Sequence, residues 1–197
     1  DPKEAVALSN PLSSDMTYLR TSLIPSLLQV IPENKSFEKI QVFELSNIYI
    51  KRENDLPDEK QILAGVIKNP NGDFLKVKGI IETLAKDLGI KNIEFKKSEV
   101  GDGADIYIGK IKIGDIEVLS KSIIDFEIDY ALFIKHATLQ KTYIPIPKFP
   151  SAIEDLRIVV DSSIQYAEIV SVIKSANNLV TQVELLDTYE NKKTFRI

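Results

Sequence analysis

The sequence predicts an α+β fold in two domains, and three observations carry that expectation. Most strand-like segments fall in one run between residues 40 and 133, split by turn residues and by a single long amphipathic helix. Residues 141–150 (KTYIPIPKFP) carry three prolines, which excludes both a regular helix and a central strand. Beyond them a strand–helix–strand order begins, the opening of a split βαβ unit of ferredoxin-like type. The expected division is therefore 1–140 for the larger domain, 141–150 for a proline-rich linker and 151–197 for the smaller domain. The last span is short for a domain of that type. The expectation is that the chain is cut after Ile197 or has residues closed up within it. The missing initiator Met points the same way, to an excised fragment.

Residues 1–16 read as an entry strand and a turn at Asn10-Pro11, with Ser13, Ser14 or Asp15 available to cap a following helix. Leu19, Leu23, Leu27 and Val30 recur at helical spacing, and Pro25 predicts a kink or a late start. Residues 40–50 (IQVFELSNIYI) are rich in β-formers and read as a strand. The charged residues 51–60 read as a hairpin tip, and 61–67 as the strand that pairs back. Asn69-Pro70-Asn71-Gly72 is a turn. In residues 74–88, Val77, Ile80, Ile81, Leu84 and Leu88 line one face of a helix, and Gly89 is a natural C-cap. Residues 93–95, 105–108, 110–113 and 116–119 read as four short strands. Residues 126–133 (FEIDYALF) read as a half-buried strand or its run into a helix. In the smaller domain, 156–161 is a strand, 164–176 a helix and 180–189 a strand.

Composition narrows the function classes. The formal net charge is −4, so RNA contact driven by charge over the whole surface is not expected, and any such contact is local or steered by a partner. With no cysteine there is no disulfide, thiolate metal site or thiol nucleophile, which fits a cytoplasmic protein. No apolar run approaches the roughly 20 residues that span a bilayer, so no membrane partner is expected. The acidic start Asp1-Pro2-Lys3-Glu4 does not read as a secretory signal.

The chemistry-bearing residues argue against catalysis. His136 is the single histidine and has no nucleophile motif nearby. Neither a phosphate-binding loop nor a dinucleotide fingerprint is present, and Gly101, Gly103 and Gly109 read as turn residues. Asp125, Glu127 and Asp129 alternate and so share one strand face. Three acids on one face could hold Mg²⁺ or work as an acid–base pair. The plainer expectation is a solvated face opposite a core of Phe126, Ile128 and Tyr130. No catalytic or metal-ligating residue is therefore assigned. Basic residues beside aromatics are the better candidates for RNA contact: Lys148 and Phe149 in the proline segment, Arg157 on the next strand, and Lys192, Lys193 and Arg196 around Phe195. Aromatic stacking with a cation on the phosphate is how single strands are often held. From residue 147 onward, however, acids slightly outnumber bases.

One set of motifs goes further. NPLS at residues 10–13 precedes LRTSLIP at 19–25. Phe43-Glu44-Leu45 is followed by Tyr49, Leu56-Pro57 by Glu59, and then comes Leu63-Ala64-Gly65. Further along are DFLKVKGIIE at 73–82, Ile108-Gly109, Ile113-Gly114 and FEID at 126–129. Last are KFPSA at 148–152 with Asp155-Leu156 and Val159-Val160-Asp161, and Leu186-Asp187 with Tyr189. In this order they resemble the beta subunit of bacterial phenylalanyl-tRNA synthetase. Ser46 stands at a usual glycine, Lys76 at a usual aspartate, Glu154 at a basic position and Arg157 at a small one.

The resemblance implies a class II synthetase-like antiparallel sheet flanked by helices, with its active-site residues lost. A ferredoxin-like anticodon-binding domain, here incomplete, follows it. It implies assembly with the catalytic alpha subunit in an (αβ)2 tetramer, binding of tRNA(Phe), and ATP and Mg²⁺ as cofactors of the holoenzyme. The fragment itself is expected to be inactive, with no cofactor of its own. If the RNA-facing basic residue of the pattern is missing at Glu154, Arg157 is the expected substitute. The editing and magnesium-binding domains that precede this region in the family are not expected within these residues. The aliphatic faces of residues 19–30 and 77–88 are expected to form the core and to leave an apolar patch for the alpha subunit. The alternative reading is a free-standing interaction module of the same fold with no aminoacylation role.

Overall fold

The computed structural model describes residues 4–13, 16–140, 143, 145–146, 148–161 and 163–197. The chain forms two compact units, Asp1–Thr142 and Tyr143–Ile197. Within the residues expected as linker, 141, 142, 144 and 147 lie outside the described residues, as do the expected cap residues Ser14 and Asp15.

The larger unit is built on a six-stranded, fully antiparallel sheet in the order β1-β2-β6-β5-β4-β3. Its strands are β1 (Ile40–Ile50), β2 (Asp58–Lys68), β3 (Ile93–Lys97), β4 (Gly103–Ile108), β5 (Ile111–Ser120) and β6 (Ile123–Asp129). Three helices flank the sheet: α1 (Ile24–Glu33), α2 (Phe74–Asp87) and α3 (Tyr130–Ile134). Helix α2 buries Val77, Ile81 and Ala85 on Ile106, Ile116, Ile124, Phe126 and Ile128 of one sheet face. Helix α1 covers the opposite face, where Leu23 and Leu27 meet Ile48, Ile62, Ala64 and Val66. Each fully buried side chain of this size contributes roughly 1.5–3 kcal/mol.

Local chemistry explains the boundaries. Helix α1 starts late and places Pro25 in its first turn, where a missing amide hydrogen leaves no bond unmade, while Pro32 sits in its last turn. Leu19 therefore lies outside the helix, and Ser13 does not cap it. The segment carrying Leu19 instead forms a short antiparallel bridge, Ala7 opposite Tyr18. The Asp73 side chain accepts from the Lys76 amide and starts α2, and Gly89 at φ +69° follows its end. The strands expected at 110–113 and 116–119 are one strand, β5. A bulge opposite Ile106 and Tyr107 absorbs an extra residue, and Gly114 there continues the strand rather than turning it.

In the smaller unit β7 (Asp155–Val159), α4 (Tyr166–Ala176), β8 (Glu184–Tyr189) and β9 (Lys192–Arg196) form a three-stranded sheet in the order β7-β9-β8. Both β7 and β8 run antiparallel to β9, so they are parallel to each other with β9 inserted between them. That is the split βαβ arrangement expected for this unit. The basic cluster of Lys192, Lys193 and Arg196 around Phe195 forms β9. Phe195 of β9 is fully buried and stacks on Tyr166 of α4, with ring centroids 6.0 Å apart.

Two glycines of the large sheet are fixed by close packing. A Cβ at Gly65 would stand 2.5 Å from the Phe126 ring, and one at Gly114 would overlap the Glu127 carbonyl oxygen. Gly114→Ala is expected to lower unfolding stability by about 1–3 kcal/mol. Gly101→Ala, with nothing within 4 Å of the added carbon, should leave it unchanged. Urea midpoints of the two variants against wild type check this, and equal midpoints would contradict it.

Candidate functional site

Two surfaces carry polar groups in a pattern that packing alone does not require. The first is the face of the small sheet turned away from α4. Registers place Val159, Lys192 and Tyr189 in one row across it, then Arg157, Thr194 and Asp187, then Asp155, Arg196 and Glu184. Alternation explains the sorting. Phe195 and Lys193 face the helix, where Lys193 Nζ donates to the Ile164 carbonyl at 3.4 Å. Lys192, Thr194 and Arg196 face the open side.

The structure thus separates the basic candidates. Arg157, Lys192 and Arg196 share one open face, and Lys193 is turned to the other. Lys148 and Phe149 lie outside any strand and are exposed, Phe149 by 82%. Arg196 grips Asp155 with two bonds, Nε to Oδ1 at 2.9 Å and an NH2 to Oδ2 at 3.0 Å. That fork lowers the Asp155 carboxyl below the usual carboxylate range, chiefly through the hydrogen bonds from Arg196, and raises the Arg196 guanidinium. Arg157 Nε donates to Thr194 Oγ1 at 3.1 Å. Lys192 has neither an ion pair nor a hydrogen bond from its side chain among the described residues. Beside it Tyr189 exposes 65% of its surface, an aromatic platform next to a cation. Sequence reasoning did not select Tyr189. The signal was the strand register, which became visible only once β8 and β9 were paired.

The second surface is the α1 side of the large sheet. One register row runs Lys96, Asp105, Asp115, Glu127, Ala64, Glu44, and the next places Glu117 beside Asp125 and Val66. The expectation of a solvated acidic strand face fails here. Asp125 is only 4% exposed, beside Val66 on the sheet face against which α1 packs. Burial first, then the charges of Glu117, Glu127 and Asp115, push its carboxyl up to about 7. Glu127 is occupied in holding α1: Oε1 accepts Ser22 Oγ at 2.9 Å and the Leu23 amide at 2.8 Å. Asp129 caps α3 through the Leu132 amide at 2.9 Å. Lys112 neutralises Asp105 at 2.8 Å and Asp115 at 3.3 Å, which raises the lysine. Among the described residues no three His, Cys, Asp or Glu side chains converge in a way that could hold a metal ion. Glu127 and Asp129 thus anchor helices, and Asp105 and Asp115 pair with Lys112. His136 is half-buried just after α3.

Comparison with known proteins follows this division. Residues 1–134 match the phenylalanyl tRNA synthetase beta chain CLM domain, and residues 147–195 match the ferredoxin-fold anticodon binding domain. Among relatives, the phenylalanine–tRNA ligase beta subunit of Dehalococcoides mccartyi is 34% identical. Those of Carboxydothermus hydrogenoformans and Thermotoga maritima are each 30% identical. Each alignment covers 96% of this chain and 27% of the relative, so the chain spans about a quarter of those proteins. A crystal structure of pyrrolysyl-tRNA synthetase from Desulfitobacterium hafniense superposes with a TM-score of 0.55 at 13% identity. It covers 67% of this chain and 52% of that one, a likeness of fold.

The Asp155–Arg196 fork is open to direct measurement. NMR titration of the Asp155 carboxyl is expected to show a midpoint below the usual carboxylate range, returning to that range in Arg196→Ala. The same midpoint in both proteins would mean that the fork does not form in solution.

Proposed function

The chain belongs to the phenylalanyl-tRNA synthetase beta chain family, and from that premise we propose that it is a non-catalytic part of a phenylalanine–tRNA ligase, supporting assembly with the alpha subunit and binding of tRNA(Phe). The observation that carries the reading is the pairing of both family modules, in order, on one chain whose chemistry-bearing side chains are spent on structure. Glu127 and Asp129 of the large sheet hold helices and Asp105 pairs with Lys112, which supports a non-catalytic role. ATP and Mg²⁺ fall to the catalytic partner in this reading, and no step is routed through this chain. An (αβ)2 tetramer in the cytoplasm is the assembly the reading entails.

Each role has a surface that supports it. For the alpha subunit it is the side of β1 away from α1, where Phe43 is 76% and Leu45 43% exposed. Exposed apolar side chains grouped on one strand face are typical of a covered interface. For tRNA it is the open face of the small sheet, with Lys192, Arg157 and Tyr189. A net charge of −4 means that long-range attraction contributes little, so affinity for RNA rests on these few contacts and on the partner subunit.

Binding titrations of this chain against the alpha subunit and, separately, against tRNA(Phe) at two salt concentrations test the reading. Tight alpha binding is expected, with weak and salt-sensitive tRNA binding. Lys192→Ala should weaken tRNA binding and reduce the salt slope by about one, and Phe43→Ser should weaken only the alpha complex. Binding to neither ligand would sink this assignment in favour of a free-standing interaction module.

A further inference from the structure

Asp125 is the only charged side chain buried among the described residues, and no ion pair explains its position. It lies at the middle of β6, with Val66 on one side and Glu117 on the other. Two residues further along the same face is Glu127, whose single oxygen Oε1 takes both the Ser22 hydroxyl and the Leu23 amide. Those two bonds fix the entry to α1, and the fully buried Leu23 drives it onto the sheet.

The charges around this pair are lopsided. From β5 come Glu117 and Asp115, the latter shared with Lys112. Lys68 of β2 lies on the same face, with Nζ turned to the Phe37 carbonyl at 3.2 Å. Glu44 of β1 is taken by Arg20 at 2.8 Å. Asp129, also on β6, accepts the Leu132 amide of α3. Helix α1 carries no charge before Glu33. Among the described residues, therefore, no cation bonds to Asp125, Glu117 or Glu127.

We propose that Asp125 and Glu127 form a pH-sensitive latch on α1: with Asp125 protonated, Glu127 holds the first turn of the helix on the sheet, and ionisation of Asp125 sets two like charges on one strand face and loosens that hold. The proton moves between the Asp125 carboxyl and water. The sign follows from the direction of the shift. A carboxyl held above its ordinary value binds its proton more tightly when the latch is closed. Closure is then most stable in acid, and it weakens as pH rises toward the closed-state value near 7. Above that pH both states are ionised and the profile levels off. The latch is a property of the large unit and does not depend on the role proposed for the whole chain.

Amide hydrogen exchange of residues 23–28, expressed as protection factors so that base catalysis of exchange divides out, tests this between pH 5 and 8. Wild-type protection is expected to fall by up to about tenfold per pH unit below about 7, then level. Asp125→Asn should give a flat profile. Glu117→Gln alters only an exposed side chain, so it folds safely, and it should show a smaller total fall. A wild-type profile unchanged by Glu117→Gln and by Asp125→Asn would overturn the latch. So would a fall shared equally by the amides of β3 and β4, which would report global unfolding instead. Should Asp125→Asn fail to fold, the Glu117→Gln profile decides alone.

Discussion

The alternation along Ile123–Asp129 is the constraint on which the larger unit depends. β6 sits between β2 and β5. Its even-numbered residues, Ile124, Phe126 and Ile128, complete the core under α2. On its other face Ile123 is followed by the acids Asp125, Glu127 and Asp129, two of which complete that layer by polar means: Glu127 seats α1 and Asp129 starts α3. A slip of one residue would turn every apolar side chain to the wrong face. The glycines at 65 and 114 belong to the same constraint, since each makes room for an atom of β6.

The acid side of that strand has a cost. Three carboxylates on one face repel each other unless capped, paired or protonated, and the fold uses all three remedies. Glu127 and Asp129 take backbone amides, Asp115 takes Lys112, and Asp125 keeps its proton to unusually high pH. Of the residues that looked like a metal or acid–base constellation, Glu127 and Asp129 thus dock helices and Asp125 lies buried.

In the smaller unit the organising feature is the insertion of β9 between β7 and β8. It sorts a linear basic cluster into two faces, burying Phe195 on one and displaying Lys192 and Arg196 on the other. Arg196 then closes on Asp155, so a cation that the sequence offers freely is partly occupied in the fold. Lys192 beside Tyr189 keeps both a charge and an aromatic surface available.

Read alone, the sequence determined the strands at 40–50 and around 61–67, the helix after Asp73 and the α+β class, because these rest on local periodicity and on capping. It also carried the ordered motifs that identify the family. Signals that depend on neighbours were not legible. The extra residue in β5 needed the opposing strand, the late start of α1 was one of two outcomes that Pro25 allowed, and β9 was too short and too polar to stand out. The candidate site divided in the same way. Residue type pointed to Arg157, Lys192, Lys193 and Arg196, but strand pairing decided which of them share a face, which is bound to Asp155 and that Tyr189 joins them. Only the tertiary structure could bury Asp125, since its desolvation and the approach of Glu117 come from the strands that pair with β6, and no local pattern encodes how much water a carboxyl will keep.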